Sequence, residues 1–101
     1  MYLYNITFAV DPEVRQEFID WLDSDFIPVS IADEEYFSSP QLMKVMTQDA
    51  TVDSYALHMR APGLNEISLW YEDQGSRLFD FIQGHWNGKV LFFTTTLEVI
   101  K

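Results

Sequence analysis

The sequence predicts an α+β domain with four strands and two helical stretches in the order βαββαβ. Three observations carry that reading. The opening MYLYNITFAV alternates with period two and is rich in aromatic and β-branched residues, which is the pattern of a strand. Two later stretches, DPEV onward and APGLNEISLWYEDQGSRLFDFIQGHW, change to apolar recurrence at helical spacing. Turn residues, DATVD at 49–53 and NG at 87–88, separate the remaining strand-like runs.

The elements follow in order. In the first strand Tyr2, Tyr4, Ile6, Phe8 and Val10 share one face, and Leu3, Asn5, Thr7 and Ala9 the other. The alternation begins at once, so no N-terminal tail is expected. Asp11 can cap the first helix, Pro12 suits its first position, and Glu13 suits the positive end of its dipole. Val14, Phe18, Trp21 and Leu22 form its apolar stripe, with Glu13, Glu17, Asp20 and Asp23 outside. Pro28 is expected to stop the helix soon after Phe26. Residues 29–40 read as an irregular connection closed by Pro40. QLMKVMTQ (41–48) reads as the second strand and SYALHMRA (54–61) as the third, joined as a hairpin. In the third strand Tyr55, Leu57 and Met59 oppose Ala56, His58 and Arg60. The second helical stretch has two stripes, Leu64, Ile67, Trp70 and Tyr71, then Leu78, Phe79, Ile82 and Trp86, with Gly75 as an interruption. Asn87-Gly88 ends it through the left-handed conformation these residues tolerate. KVLFFTTTLEVI (89–100) is the fourth strand.

That order is the split-βαβ, ferredoxin-like arrangement. Right-handed crossovers put both helical stretches on one face of a four-stranded antiparallel sheet. The more apolar set, Tyr4, Ile6, Phe8, Tyr55, Leu57, Met59, Leu91, Phe93 and Leu97, is expected under the helices. The face left over would carry Leu3, Asn5, Thr7, Lys44, Met46, Ala56, His58, Arg60, Val90, Phe92, Thr94 and Thr96. It is too apolar for plain surface and too polar for plain core. Burying a Phe or Met fully is worth roughly 1.5–3 kcal/mol, so a second copy laid sheet against sheet is expected to cover it, as a homodimer.

Composition narrows the function. The chain has 101 residues, the size of one domain, and 48% are hydrophobic, enough for a core. Sixteen acidic residues against six basic ones give a net charge of −10. That surface repels phosphate backbones and anionic lipid, and Arg15, Lys44, Arg60, Arg77, Lys89 and Lys101 form no basic cluster. Nucleic-acid and membrane partners are not expected. No signal peptide or membrane span is read, so the expected location is cytoplasmic. With no cysteine there is no disulfide framework and no thiolate chemistry. No nucleophile elbow, phosphate loop, dinucleotide fingerprint or metalloprotease helix is present. No cofactor is implied.

The candidate site lies on the mixed face. His58 is central, mid-strand and two positions from Arg60. A histidine between sheets can act as a base, a haem ligand or a hydrogen-bond partner; the plainer role is pairing with Asn5 or a threonine hydroxyl. Asn5, Arg60, Thr94, Thr96 and Phe92 complete the expected lining of a ligand site. His85, at a helix end, is read as a favourable cation for the dipole. It and His58 lack a third ligand, so no metal site is expected. The acidic loops ADEEYF and QDATVD lack calcium-loop spacing and read as solvated. Trp21, Trp70 and Trp86 read as core.

MYLYNITF, Trp21 followed by Ile27-Pro28, Tyr55 with Ala61-Pro62, the NGK turn and the ending TTLEVI together resemble an uncharacterised family of short bacterial proteins of the Bacteroidetes type, a domain of unknown function. The resemblance spans essentially the whole chain and rests on order and spacing. It implies a ferredoxin-like fold of the dimeric α+β-barrel type and no established activity. In that family a His often precedes the Ile-Pro pair, where this chain has Phe26, and an Arg is common where it has Thr94. A family function served by that His or that Arg would be lacking in this chain.

Three functions compete. The first is a homodimer binding a small apolar or aromatic ligand between its sheets. The second is a structural or regulatory interaction dimer. The third is a cofactor-free monooxygenase or isomerase-like enzyme, with His58 as acid/base and Asn5 and Arg60 orienting substrate. That enzyme reading argues from fold alone.

Overall fold

The computed structural model describes residues 1–46 and 51–101. Its strands are β1 (Tyr2–Val10), β2 (Ser38–Val45), β3 (Asp53–Ala61) and β4 (Val90–Glu98). They form one antiparallel sheet in the order β2-β3-β1-β4. The helices are α1 (Arg15–Trp21), α2 (Ile27–Ile31), α3 (Leu64–Trp70) and α4 (Ser76–His85). A π-helical turn joins α1 to α2 (Leu22–Phe26), and another joins α3 to α4 (Tyr71–Gly75). The fold is the expected ferredoxin-like one.

Asp11 Oδ1 accepts the Glu13 amide at 2.9 Å, and Pro12 opens a short 3-10 turn ahead of α1. Pro28 does not end the helix. It is the second residue of α2, which runs on to Ile31. The π turn before it explains this. Hydrogen bonding there skips to the fifth residue back, as in Ile27 N–H to Leu22 O, and the widened turn makes room for a proline that lacks a donor. The connection expected over 29–40 is correspondingly shorter. β2 also begins at Ser38 rather than residue 41, with Pro40 inside it. β2 is an edge strand, where a missing amide is tolerated. Its register with β3 shifts between Ser38 and Gln41, and Ser39 has φ 52°, so a bulge absorbs the proline. Residues 47–50, which include the predicted strand end and the start of the DATVD turn, lie outside the described residues.

The core lies between the helices and one sheet face. Ile6, Phe8, Phe18, Leu22, Phe26, Leu57, Met59, Trp70 and Ile82 are wholly inaccessible. Trp70 is its hub, edge-on to Phe37 (4.9 Å between centroids) and Tyr4 (5.6 Å). Trp86 is buried too, while Trp21 is half-buried against the core. Leu64 and Tyr71, assigned to the apolar stripe by spacing, are exposed.

Two buried positions make opposite predictions. Gly75 closes the second π turn beneath the Trp70 ring, and a Cβ there would sit 2.5 Å from that ring. Gly75→Ala should therefore lower stability by about 1–3 kcal/mol. Ser30 is wholly buried in α2, and its hydroxyl has no partner among the described residues. Ser30→Ala should raise stability by about 1 kcal/mol by removing that unpaired group. Urea unfolding midpoints check both.

Candidate functional site

Register decides which side chains reach the open face. β1 pairs with β3 so that Asn5 faces His58, Thr7 faces Ala56 and Leu3 faces Arg60. These six are on the uncovered side, as expected. β2 pairs with β3 through Gln41↔His58, Met43↔Ala56 and Val45↔Ser54. The open face therefore has Gln41, Met43 and Val45. Lys44, expected there, pairs with Tyr55 on the helix side, and Met46 lies beyond the strand.

β4 is turned over relative to expectation. Val10↔Val90, Phe8↔Phe92, Ile6↔Thr94 and Tyr4↔Thr96 are cross-strand pairs, so Phe92, Thr94 and Thr96 face the helices. Phe92 stacks on Phe79 of α4 at 4.6 Å and reaches Phe8 at 6.4 Å. Leu91, Phe93, Thr95 and Leu97 are on the open face instead. The correction has a local cause. The Lys89 amide donates to Trp86 O at the end of α4, and Lys89 O accepts from the Asp11 amide at 2.8 Å. Those two bonds deliver Val90 opposite Val10. The sequence offered two apolar sets on this strand and no residue-level mark of which one entered. Three of the six expected site residues, Phe92, Thr94 and Thr96, are thus separated from His58, Asn5 and Arg60.

The open face has an ordered layout. One row, Gln41–His58–Asn5–Thr95, is polar across all four strands. The row on one side is Met43–Ala56–Thr7–Phe93, and the row on the other holds Arg60, Leu3 and Leu97. The Asn5 amide donates to Thr7 Oγ1 at 3.1 Å, while its Oδ1 is buried and unpartnered. His58 has no hydrogen bond or ion pair among the described residues. Leu91 and Phe93 are 62% and 63% exposed.

The charge distribution is equally uneven. The strands carry two carboxylates among the described residues, and both face the helix side. Asp53, opposite Val10, pairs with Arg15 of α1 at 3.1 Å. Glu98 lies opposite Tyr2 and holds its phenol above the ordinary value through charge and a hydrogen bond. Among the described residues the open face therefore has no carboxylate, in a protein of net charge −10. Its formal charge is Arg60.

Other features belong elsewhere. His85 is bonded to Glu17 at 2.8 Å, linking α4 to α1, and stacks on Phe81. Phe81, which spacing did not single out, stacks on Trp21 at 5.0 Å. A cleft of about 370 Å³ opens beside that pair, between Asp25, Val29, Arg77 and Leu78 on the outer helical surface. Among the described residues no group of His, Asp and Glu gathers to hold a metal. No described helix is long and apolar enough to cross a membrane.

The architecture defines a ferredoxin-like α+β protein, and similar solved structures share it. One from Deinococcus radiodurans, whose proposed role is antibiotic-biosynthesis monooxygenase, superposes with TM-score 0.75 at 14% identity, covering 100% of this chain and 94% of the other. A dimeric ferredoxin-like protein from an uncultured marine organism has TM-score 0.69 at 12% identity, over 99% and 95%. An ethyl tert-butyl ether d (ethd) family protein from Bacillus halodurans has TM-score 0.69 at 12% identity, over 99% and 100%. At these identities the likeness establishes the fold. No curated protein matches the chain. The chain belongs to the family described as Domain of unknown function (DUF4286), whose model matches residues 1–100.

The placement of Thr94 yields a pH prediction. Burial holds the Tyr4 phenol above its ordinary 10.0, and a hydrogen bond with Thr94 opposes the shift in part. Because the folded value exceeds the unfolded one, this contribution is fully present below about pH 10 and is lost as pH rises through the folded value. Tyr4→Phe should lose less stability than the parent between about pH 9 and pH 11, read from urea midpoints.

Proposed function

We propose that the protein is a homodimer whose open sheet faces pack together and enclose a site for a small apolar or aromatic ligand. One observation carries this: in a strongly acidic protein the described residues of one sheet face include no carboxylate, while Leu91, Phe93, Leu97 and Val45 are exposed on it. Two such faces meet without acidic repulsion. Burying each large apolar side chain is worth roughly 1.5–3 kcal/mol. The size is adequate too. Four strands at about 4.8 Å spacing and nine residues at about 3.4 Å give roughly 600 Å² in projection. Side-chain relief brings that toward the ~800 Å² per partner of a stable interface. The marine protein described as dimeric supports the reading by analogy of fold.

The polar row lies between a row that holds Met43 and Phe93 and a row that holds Leu3 and Leu97, so its side chains would line the space that the two sheets do not fill. His58, Asn5, Gln41 and Thr95 are the lining groups, with Phe93 and Leu97 as apolar walls. Phe92, Thr94 and Thr96 are not included. The interaction-dimer reading keeps the same interface and dispenses with the ligand.

Light scattering behind a sizing column at micromolar protein should give twice 11.8 kDa for the parent. Phe93→Asp and Leu91→Asp should each give 11.8 kDa with helix content unchanged by circular dichroism. A monomeric parent would overturn the proposal.

A further inference from the structure

We infer that the ligand of this site is an anion, a small carboxylate with an apolar or aromatic body, held at its charged end by Arg60. The inference rests on the proposed dimer and adds the chemistry of what the dimer takes up.

The first ground is the partition of charge. Sixteen carboxylates are distributed over this chain, yet the described residues of the open face include none, and the two carried by described strand residues are on the helix side. The second ground is the state of Arg60. Arg15 is bridged to Asp53, Lys89 to Glu13, and Arg77 to Asp73 O and Gln74. Arg60 has no ion pair or hydrogen bond among the described residues. A second copy of the chain brings a second Arg60 to the interface and, among the described open-face residues, no carboxylate to meet it. Partly desolvating two guanidinium groups without counter-charge is unfavourable, and an anion drawn from solution removes the conflict.

The third ground is the arrangement around Arg60. His58 lies two residues away on the same face and directly opposite Asn5. Arg60 offers a planar fork of donors suited to a carboxylate. His58 and the Asn5 amide add hydrogen-bonding groups one row further in. Leu3 is directly opposite Arg60, Leu97 follows Leu3 in the same row, and Phe93 lies beyond the polar row, so the body of the ligand would meet apolar surface. A cationic ligand finds no acidic group among the described residues of this face.

The test uses the intact dimer and three matched probes: 1-naphthoate, 1-naphthalenemethanol and 1-naphthylmethylammonium. Binding is followed by equilibrium dialysis, with the mass checked in the same samples. Naphthoate should bind at least tenfold more tightly than the alcohol, the size of a charge-assisted contact of about 1.4 kcal/mol, and the ammonium should bind least. Arg60→Met should bring the naphthoate-to-alcohol ratio to about one, with the dimer mass retained. Arg60→Lys, which keeps the charge and loses the fork, should preserve part of the preference.

The outcomes separate. Equal or weaker binding of naphthoate in a dimeric parent overturns the inference and leaves the dimer standing. A preference unchanged in Arg60→Met overturns the role of Arg60. No uptake of any probe by a dimeric parent overturns both the inference and the ligand-binding reading, in favour of an interaction dimer. A monomeric parent overturns the proposed function itself.

Discussion

Phe92 lies over Phe79 with 4.6 Å between ring centroids and touches the Phe8 ring across the β1–β4 pair. Much of the molecule depends on that clamp. It ties the last strand to the last helix through the side of the sheet that the helices cover. Strand periodicity is two, so a slip of one residue would send Leu91 and Phe93 inward and expose Phe92. The hydrogen bonds at Lys89 set the same register from the turn. With β4 fixed this way, the composition of both sheet faces follows.

The rest of the core is consistent with it. β1, between β3 and β4, contributes Ile6 and Phe8, both wholly inaccessible, and the helices lay aromatic rings across them. The two helical stretches each change pitch through a π turn. The turn ending at Gly75 lets the backbone pass close under Trp70. The turn ending at Phe26 precedes a proline that would ordinarily halt a helix. Both turns sit where aromatic residues, Trp70 and Phe26, are wholly buried, so the irregular backbone accompanies the densest packing.

The sequence made the topology legible because alternation in β1 and β3 and the helical stripes are strong, local signals. His58, Asn5 and Arg60 were placed on the open face for the same reason: each sits in a strand whose opposite set is plainly apolar. β4 defeated that logic. Both of its faces carry large apolar residues, and simple counting favoured Leu91, Phe93 and Leu97 for the core. The decision is made by turn hydrogen bonds and by Phe79 on another element, neither of which periodicity registers. Lys44 went astray similarly, since Leu42 opposite Leu57 sets the register of β2 and the bulge at Ser39 and Pro40 conceals it. The continuation through Pro28 was hidden because a π turn leaves no sequence mark of its own.

The corrected register strengthens the case for a covered face, because it moves Leu91 and Phe93 onto it and puts Glu98 on the helix side. The dimer is most directly tested by isotope-filtered NOE spectroscopy on a mixture of labelled and unlabelled protein. The account predicts intermolecular contacts from the Phe93 ring and the Leu91 methyls to open-face side chains of the other copy. Intermolecular contacts confined to the outer surfaces of α1 and α4, or none at all, would contradict it.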